Sequence, residues 1–559
     1  MIKEEIRKII EVAAKNLGIE VPDFSVEKPK EAAHGDYSTN IALALSKQLK
    51  KNPNEIAKQI ASSIINKLFK KVEVVGGFIN FFLDDRIFNE NIKQVLKEKN
   101  KFGKNTVLKN KKVIIEYTDP NILKEFHIGH LMSNTIGESI SRIFEFQGAS
   151  VKRMCYQSDV GLGIAKAVFG KIKNSLYSWQ DAYVWGTKMY EEDESAKKQI
   201  TELNKKIFER SDKIVNKIYD EGKKWSLKYF DGIYQKLGTK FDQLIFESQV
   251  ADAGKKIVQE YIGKVFEKGK NGAIIFKGEN VGLHTRVFIN AEGLPTYEAK
   301  ELALAKEKYK KYKYDQSVVI TGNEVNEYFK VLMAAMSEIF PELQKKTKHI
   351  GHGMMRLPEG KMSSRTGKVV TFEFLLGEVE KLVQEKIAGR ELSEKEKIEI
   401  REKVAVGALK YSILKQSIGC DIIYDFEKSI NFQGDSGPYL QYSLARANSV
   451  LSKAKTEKIK CDANMRMHTN NTNANVSDLE KMMRSFPEAV EKAGQEFEPH
   501  IIVLYLTELA REFNNYYAQN KIVDKDDEFS PYKIALAQAF TQIMKNGFWL
   551  LGIQAPDKM

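Results

Sequence analysis

The stretch KKVIIEYTDPNILKEFHIGHLMSN, residues 111–134, holds a change of period from which the fold follows. Lysines precede a short apolar run at Val113, Ile114 and Ile115, and Thr118-Asp119-Pro120-Asn121 stops it, as expected of a buried strand ending in a turn. From His127 to Gln147 the pattern becomes helical and ends at Gly148, and SVKRMCYQ at 150–157 reads as the next strand. Strand, tight turn, helix and strand make the βαβ unit of a parallel sheet. His127 and His130, at i and i+3, share one face of the helix's first turn. In such sheets ligands bind beyond the carboxyl ends of strands, where helix N-termini offer free N–H groups to phosphates. Gly129 between the histidines leaves room for a flat base or ribose. The pair points to a nucleotide. Capping or core duty is the alternative these residues leave open, and metal binding fits less well, since zinc pairs on helices sit at i and i+4.

Size and composition bound the rest. A chain of 559 residues is too long for one core, so roughly two to four domains are expected. With 42% hydrophobic and 29% charged residues it is globular rather than disordered. The formal charge of +13, from 88 Lys and Arg against 75 Asp and Glu, suits a polyanionic partner such as nucleic acid, although a lysine-rich surface also serves solubility. Cys155, Cys420 and Cys461 lie far apart, which indicates neither a disulfide framework nor a zinc site and implies a reducing compartment. The N-terminal MIKEEIRKIIEVAAKNLGIE is an amphipathic helix broken by charge, not a signal peptide. No run approaches the ~18 apolar residues of a membrane span, so a cytoplasmic protein without membrane partners is expected.

Four segments are expected. Residues 1–105 form a small α+β unit, with helical periodicity through HGDYSTNIALALSKQLKKNPNEIAKQIASSIINKL and β-rich VEVVGGFINFFL around Gly76-Gly77. EKNKFGKNTVLKN is the linker. Residues 106–375 contain the parallel sheet, interrupted at about 165–265 by charged helices and resuming with GAIIFKG, RVFIN and QSVVITG. Residues 376–430 are a helical connector and 431–559 are all-helical, with a disordered Asn/Thr tract at 468–478. The fold class is thus multidomain α/β: a Rossmann-like parallel sheet with a helical insertion, a small α+β N-terminal domain and an α-helical C-terminal domain.

A second stretch, GHGMMRLPEGKMSSRTGKVVTF at 351–372, sets Lys361, Met362, Ser363 and Ser364 between Gly360 and Gly367. It reads as a mobile basic loop able to close over a triphosphate and supply cations to the leaving group. HIGH at 127–130 followed far downstream by KMSSR at 361–365 resembles the paired signatures of class I aminoacyl-tRNA synthetases. PN..K..HIGHL, PTYEAKEL at 295–302, GPYLQYSLAR at 437–446 and the terminal KNGFWLLGIQAPDKM are similar in order and spacing to the arginyl-tRNA synthetase family. HGDYSTNIAL and GGFINFF resemble that family's appended N-terminal domain.

The resemblance implies an arginine–tRNA ligase. L-Arginine and ATP give arginyl-adenylate and pyrophosphate, and arginine then passes to the 3′-terminal ribose of its tRNA. A carboxylate is already an ionised nucleophile, so the reaction needs positioning and charge stabilisation rather than a general base. The implied ATP site comprises His127, Gly129, His130, Met354, Met355, Lys361, Met362 and Ser363, with Mg2+ carried by ATP and no zinc. His127 and His130 meet the phosphates and Lys361 the departing pyrophosphate. Ser364 stands where the family has a second lysine, and Lys124, upstream of the histidines, is expected to replace that cation. The alternative for Lys124 is a solvated turn lysine.

For arginine, the resemblance places Glu116 against the substrate's polar groups, Asn121 at the α-amino end, and Tyr297 and Glu301, sharing a helix face at i and i+4, against the guanidinium, which carboxylates meet with paired hydrogen bonds. Glu301 replaces a usual aspartate, Met132 a frequent arginine, and Val325 falls near a usual glutamine. On GPYLQYSLARANSVL, Leu440, Leu444, Ala447 and Leu451 form an apolar stripe, while Tyr439, Tyr442 and Arg446 lie on another face. With Asn514 and Tyr517 of REFNNYYAQNKI they are expected to read the anticodon, which makes 431–559 the anticodon-binding domain and 1–105 an additional tRNA-binding one. The insertion is expected to be structural or to bind the acceptor end, no editing domain is expected, and the chain is expected to be a monomer. Two other readings remain: a tRNA-binding paralogue with weakened catalysis, suggested by Ser364, Glu301 and Val325, and another nucleotidyl transferase on the same sheet.

Overall fold

The computed structural model describes residues 2–358, 370–464 and 476–559. By packing, these fall into two compact units, one of residues 1–103, 446–489 and 507–546, the other of 104–445, 490–506 and 547–559.

In the first unit, strands β1 (Val26–Glu27), β2 (Tyr37–Thr39), β3 (Phe69–Val75) and β4 (Phe78–Leu83) form an antiparallel sheet in the order β1-β2-β4-β3. Gly76 and Gly77 make the two-residue turn of the β3–β4 hairpin at φ 58° and 83°, a conformation in which side chains are strained. The single helical stretch expected upstream is two helices, Ile41–Leu49 and Pro53–Ser62. Proline at a helix's first position lacks only a donor that would be unbonded there, and Asn52 caps that end by accepting the Asn54 N–H at 2.9 Å. Both helices bury Ile41, Leu45, Ile56 and Ile60 against Ile79 and Phe81 of β4. In the helical remainder, Phe513 stacks on Phe540 with centroids 3.9 Å apart.

The second unit is built on the parallel sheet, in the order β12-β11-β5-β6-β7, from β5 (Lys112–Glu116), β6 (Ser150–Gln157), β7 (Gln243–Phe246), β11 (Gln316–Gly322) and β12 (Thr347–His352). Val113, Ile114 and Ile115 are fully buried in β5, which explains the uninterrupted apolar run of a strand covered on both faces. The helix Ile128–Phe146 crosses back from β5 to β6. It can lie close because it presents Gly137 to Tyr117: a Cβ there would sit 2.2 Å from the tyrosine ring. The Tyr117 hydroxyl donates to Glu138 Oε2 at 2.6 Å, so that contact is hydrogen-bonded as well as packed.

Four helices, Leu162–Lys173, Trp179–Glu192, Glu194–Glu209 and Lys213–Leu237, follow β6. The stretch expected to be helical at 165–265 also contains β7, a strand of the main sheet. At four residues between two long helices it is too short to disturb the helical periodicity of its surroundings. GAIIFKG and RVFIN supply β9 (Ile274–Phe276) and β10 (Arg286–Ile289), which pair antiparallel beside β8 (Glu267–Lys268) as a separate small sheet, whereas QSVVITG is β11. The helical region beyond opens with Phe372–Ile387 and Glu394–Leu414, and in Gly437–Thr456 the expected stripe residues Leu440, Leu444 and Ala447 are buried. No helix among the described residues is long and apolar enough to cross a membrane.

Candidate active site

In the sheet order, β5 has β6 on one side and β11 on the other, so connections leave it in opposite directions and a crevice opens beyond its carboxyl end. The chain leaves β5 through a turn with positive φ at Thr118, Asp119 and Leu123, conformations that side chains adopt at a cost and that surrounding bonds must hold. Those bonds are present. Asp119 Oδ1 accepts the Tyr156 N–H at 2.7 Å, Ser133 Oγ the Thr118 N–H at 2.9 Å, Ser226 Oγ the Leu123 N–H at 2.9 Å, and the Tyr229 hydroxyl the Phe126 N–H at 3.1 Å. The turn delivers His127 and His130 to the mouth of the crevice.

His127 is the N-cap of the helix: its Nδ1 accepts the Gly129 N–H at 3.1 Å, and His130 Nδ1 accepts the His127 N–H at 3.2 Å. The rings stack at 3.6 Å. With both Nδ1 atoms accepting, each proton is on Nε2, which stays available as a donor. Burial lowers the His127 pKa to about 4 with help from the Lys124 charge, and burial with the His127 neighbour holds His130 well below its ordinary value. The pair therefore acts as two neutral, directed N–H donors, and capping, which the sequence left as an alternative duty, is what aims them.

A cavity of about 800 Å³ gathers Glu116, Asn121, His127, Gly129, His130, Tyr297, Glu301, Met354 and Met355, and Met132 and Val325 also line it. Tyr297 and Glu301 come from the start of the helix Tyr297–Lys311. Burial, and next the Glu116 carboxylate, raises the Glu301 pKa to about 8. The same helix brings Lys308, buried, to 3.0 Å from Glu116 Oε2, so the carboxylate expected to meet the substrate already has an internal cation. Lys124 does not line the cavity; its Nζ lies 4.2 Å from the centre of the Tyr183 ring.

Lys361, Met362 and Ser363 lie outside the described residues, as does Ser364. The chain on either side of them is at the site: Met354 and Met355 line the cavity, the Ile128 N–H donates to the Val370 carbonyl at 3.1 Å and the Phe372 N–H to the Phe126 carbonyl at 2.9 Å. Distant segments thus meet within one residue of His127.

Sequence reasoning missed several lining residues. Asp119 lies part-buried beside Glu116; desolvation, and next the Glu116 charge, raises its pKa well above the ordinary carboxyl range. Glu247 lines the cavity while ion-paired to buried Lys300. Nothing in the spacing of Glu247 or Lys308 marked them. His352 could have been noticed, because His349-Ile-Gly-His352 repeats the tetrapeptide at 127–130. There the letters lie on β12, where His349 bonds Thr321 Oγ1 at 2.8 Å and His352 Nδ1 the Gly353 carbonyl at 2.7 Å. Of the residues expected to read RNA, Arg446, Asn514 and Tyr517 form one cluster: Arg446 Nη1 donates to Asn514 Oδ1, and its guanidinium lies 5.3 Å from the centre of the partly exposed Tyr517 ring. Tyr439 and Tyr442 are part-buried on the helix Gly437–Thr456.

Comparison with known proteins covers the whole chain. Residues 91–426 match the family described as tRNA synthetases class I (R), catalytic domain, residues 440–559 the DALR anticodon binding domain, and residues 1–83 the arginyl tRNA synthetase N terminal domain. The arginine–tRNA ligase of Clostridium acetobutylicum is 31% identical, covering 100% of this chain and 99% of its own. That of Clostridium perfringens is 29% identical with the same coverage. Among solved structures, Thermus thermophilus arginyl-tRNA synthetase superposes with a TM-score of 0.80 at 23% identity over 100% of both chains, and the Plasmodium falciparum enzyme with 0.78 at 20% identity, covering 100% of this chain and 99% of that one.

Proposed function

The chain belongs to the class I arginyl-tRNA synthetase family, and from that premise we propose how its residues carry out arginine–tRNA ligation. ATP, entering with Mg2+, lies over His127, Gly129 and His130 with Met354 and Met355 at the base. Arginine lies deeper, its α-amino end toward Asn121 and Glu116 and its guanidinium toward Tyr297 and Glu301. The arginine carboxylate oxygen attacks the α-phosphorus and pyrophosphate leaves. No proton moves in this step, so no general base is required. The Nε2–H groups of His127 and His130 donate to phosphoryl oxygens whose charge grows in transit, and Lys361, with Met362 and Ser363 beside it, neutralises the departing pyrophosphate. Lys124 supplies the second cation, since Ser364 cannot. The 3′-terminal ribose hydroxyl then attacks the adenylate carbonyl and AMP leaves.

Around this centre we assign residues 1–105 to additional tRNA binding, 106–375 to catalysis with the insertion at about 165–265, 376–430 to a connector and 431–559 to the anticodon, through Tyr439, Tyr442, Arg446, Asn514 and Tyr517. The chain works as a cytoplasmic monomer. The observation that carries the reading is the single cavity joining two neutral, capped imidazoles to a buried acidic floor, with segments before and after the basic loop at its rim.

The test is charging of unmodified arginine tRNA with radiolabelled arginine and ATP, scored as acid-precipitable RNA. Charging with arginine but not lysine is expected, since a site built around paired polar contacts discriminates by ~10⁴ or more. RNA binding without charging would mean a paralogue that lost catalysis; neither activity would leave another nucleotidyl transferase. In the same assay Lys124→Ala should lower the activation rate by ~10²-fold or more. An unchanged rate would make Lys124 a turn lysine that only packs on Tyr183.

A further inference from the structure

The helix Lys213–Leu237 turns most of its large apolar side chains inward, including Tyr219, Phe230, Ile233 and Leu237. Among its aromatic side chains Trp225 is the exposed one. Its indole is 40% exposed and stacks on Tyr229 with ring centres 5.2 Å apart and planes inclined by 10°. Tyr229 is anchored at the catalytic turn, because its hydroxyl accepts the Phe126 N–H one residue before His127. Ser226, between the two aromatics, holds the same turn through the Leu123 N–H. Exposed Lys224 and Lys228 stand on the same helix surface. The result is a partly exposed aromatic step, flanked by ammonium groups and tied through Tyr229 to the turn that leads into His127.

We propose that Trp225, backed by Tyr229, is a stacking platform for an unpaired base of the tRNA 3′ end. This deepens the function proposed above and rests on it. The terminal ribose must reach the cavity that His127 lines, so the unpaired nucleotides before it pass the rim that Tyr229 buttresses. An indole face accepts any base and the lysines accept phosphates, which is the composition of sites that hold single strands without reading sequence. Tyr229 alone could brace the turn through its hydroxyl; neither that bond nor the core requires a large exposed ring at 225.

The experiment compares wild type, Trp225→Ala and Trp225→Phe on intact arginine tRNA and on the same tRNA lacking its unpaired 3′ nucleotides. Affinities are measured by anisotropy, and charging kinetics on the intact RNA. Trp225→Ala should raise the Kd and KM for intact tRNA roughly tenfold, Trp225→Phe should restore most of the loss, and KM for ATP and arginine should stay unchanged. Wild type and Trp225→Ala should bind the truncated tRNA equally. An equal loss on intact and truncated tRNA, no loss on either, or failure of phenylalanine to rescue would overturn the proposal. Thermal unfolding identifies a variant that has simply lost structure, in which case Trp225→Phe and quenching of wild-type tryptophan fluorescence by intact but not truncated tRNA decide. Failure of wild type to charge tRNA at all would instead strike the function, whatever the two affinities show.

Discussion

His127→Asn is expected to lower the rate of arginyl-adenylate formation by ~10²–10³-fold while leaving thermal stability close to that of wild type. The two roles of this side chain sit on different ring atoms. Nδ1 accepts the Gly129 N–H and starts the helix, whereas Nε2–H is left to donate from a side chain that lines the cavity. Asparagine is among the best N-caps and places its oxygen near the position of Nδ1, but it ends short of Nε2. Glutamine reaches that far with an amide N–H and should recover part of the rate, while alanine should lose both the rate and about 1 kcal/mol of stability. Measuring kcat beside unfolding for the three variants separates the roles; equal kcat for Asn and wild type would show that Nε2 meets no phosphate. The pH dependence follows the same logic. A His127 pKa lowered to about 4 leaves the imidazole neutral from pH 8 down to about 5, so no acid limb should appear near 6.5, where an ordinary histidine titrates. Stability behaves differently, because below about pH 6.5 the unfolded chain binds protons that the buried imidazoles refuse, and it should fall as pH falls there.

Much of this arrangement was legible in the sequence because it is local. β5 announced itself as three apolar residues between lysines and a turn, the helix by its period, and β6 as SVKRMCYQ, whose ends coincide with the strand. The histidines, Asn121, Tyr297, Glu301 and the two methionines were found by motif, and one cavity receives them all. What could not be read depends on contacts between residues far apart in the chain. Lys308 is an ordinary member of a lysine-rich helix until the fold places it on Glu116, 192 positions away. Glu247 opens a helix directly after β7, the strand that the helical pattern on both sides concealed. The charge state of the histidines was likewise invisible, since it follows from burial. Their spacing suggested charge stabilisation; their surroundings make them dipolar donors.

At the other end of the cavity, arginine should bind about tenfold more weakly for each pH unit below 8, and its binding at pH 7 should release about nine-tenths of a proton. The free enzyme holds Glu301 beside the buried carboxyl groups of Glu116 and Glu247. Burial is the largest cause of its raised pKa and Glu116 the next; Glu247 adds to it, while Lys308 and Lys300 oppose it. With a pKa of about 8, the group is mostly protonated at neutral pH. A guanidinium cannot be deprotonated in a protein and needs an anionic acceptor, so its arrival must displace that proton. Hence the sign: as pH rises through 8 the carboxylate is already formed and arginine binds at full strength, and as pH falls each bound molecule must also expel a proton. Titration calorimetry in two buffers of different ionisation enthalpy counts that proton. Glu301→Gln should abolish the release and lower kcat/KM for arginine by ~10³-fold or more, because a neutral amide meets the guanidinium with an unmatched N–H. Glu301→Asp, the shorter acid usual in the family, should keep the proton release. Asp119 is a second carboxyl nearby whose pKa desolvation raises well above the ordinary range, and release that survives in Glu301→Gln would assign the proton to it. Arginine affinity that stays flat between pH 6 and 8 would mean that neither acid carries the charge, leaving Glu116 to exchange Lys308 for the substrate.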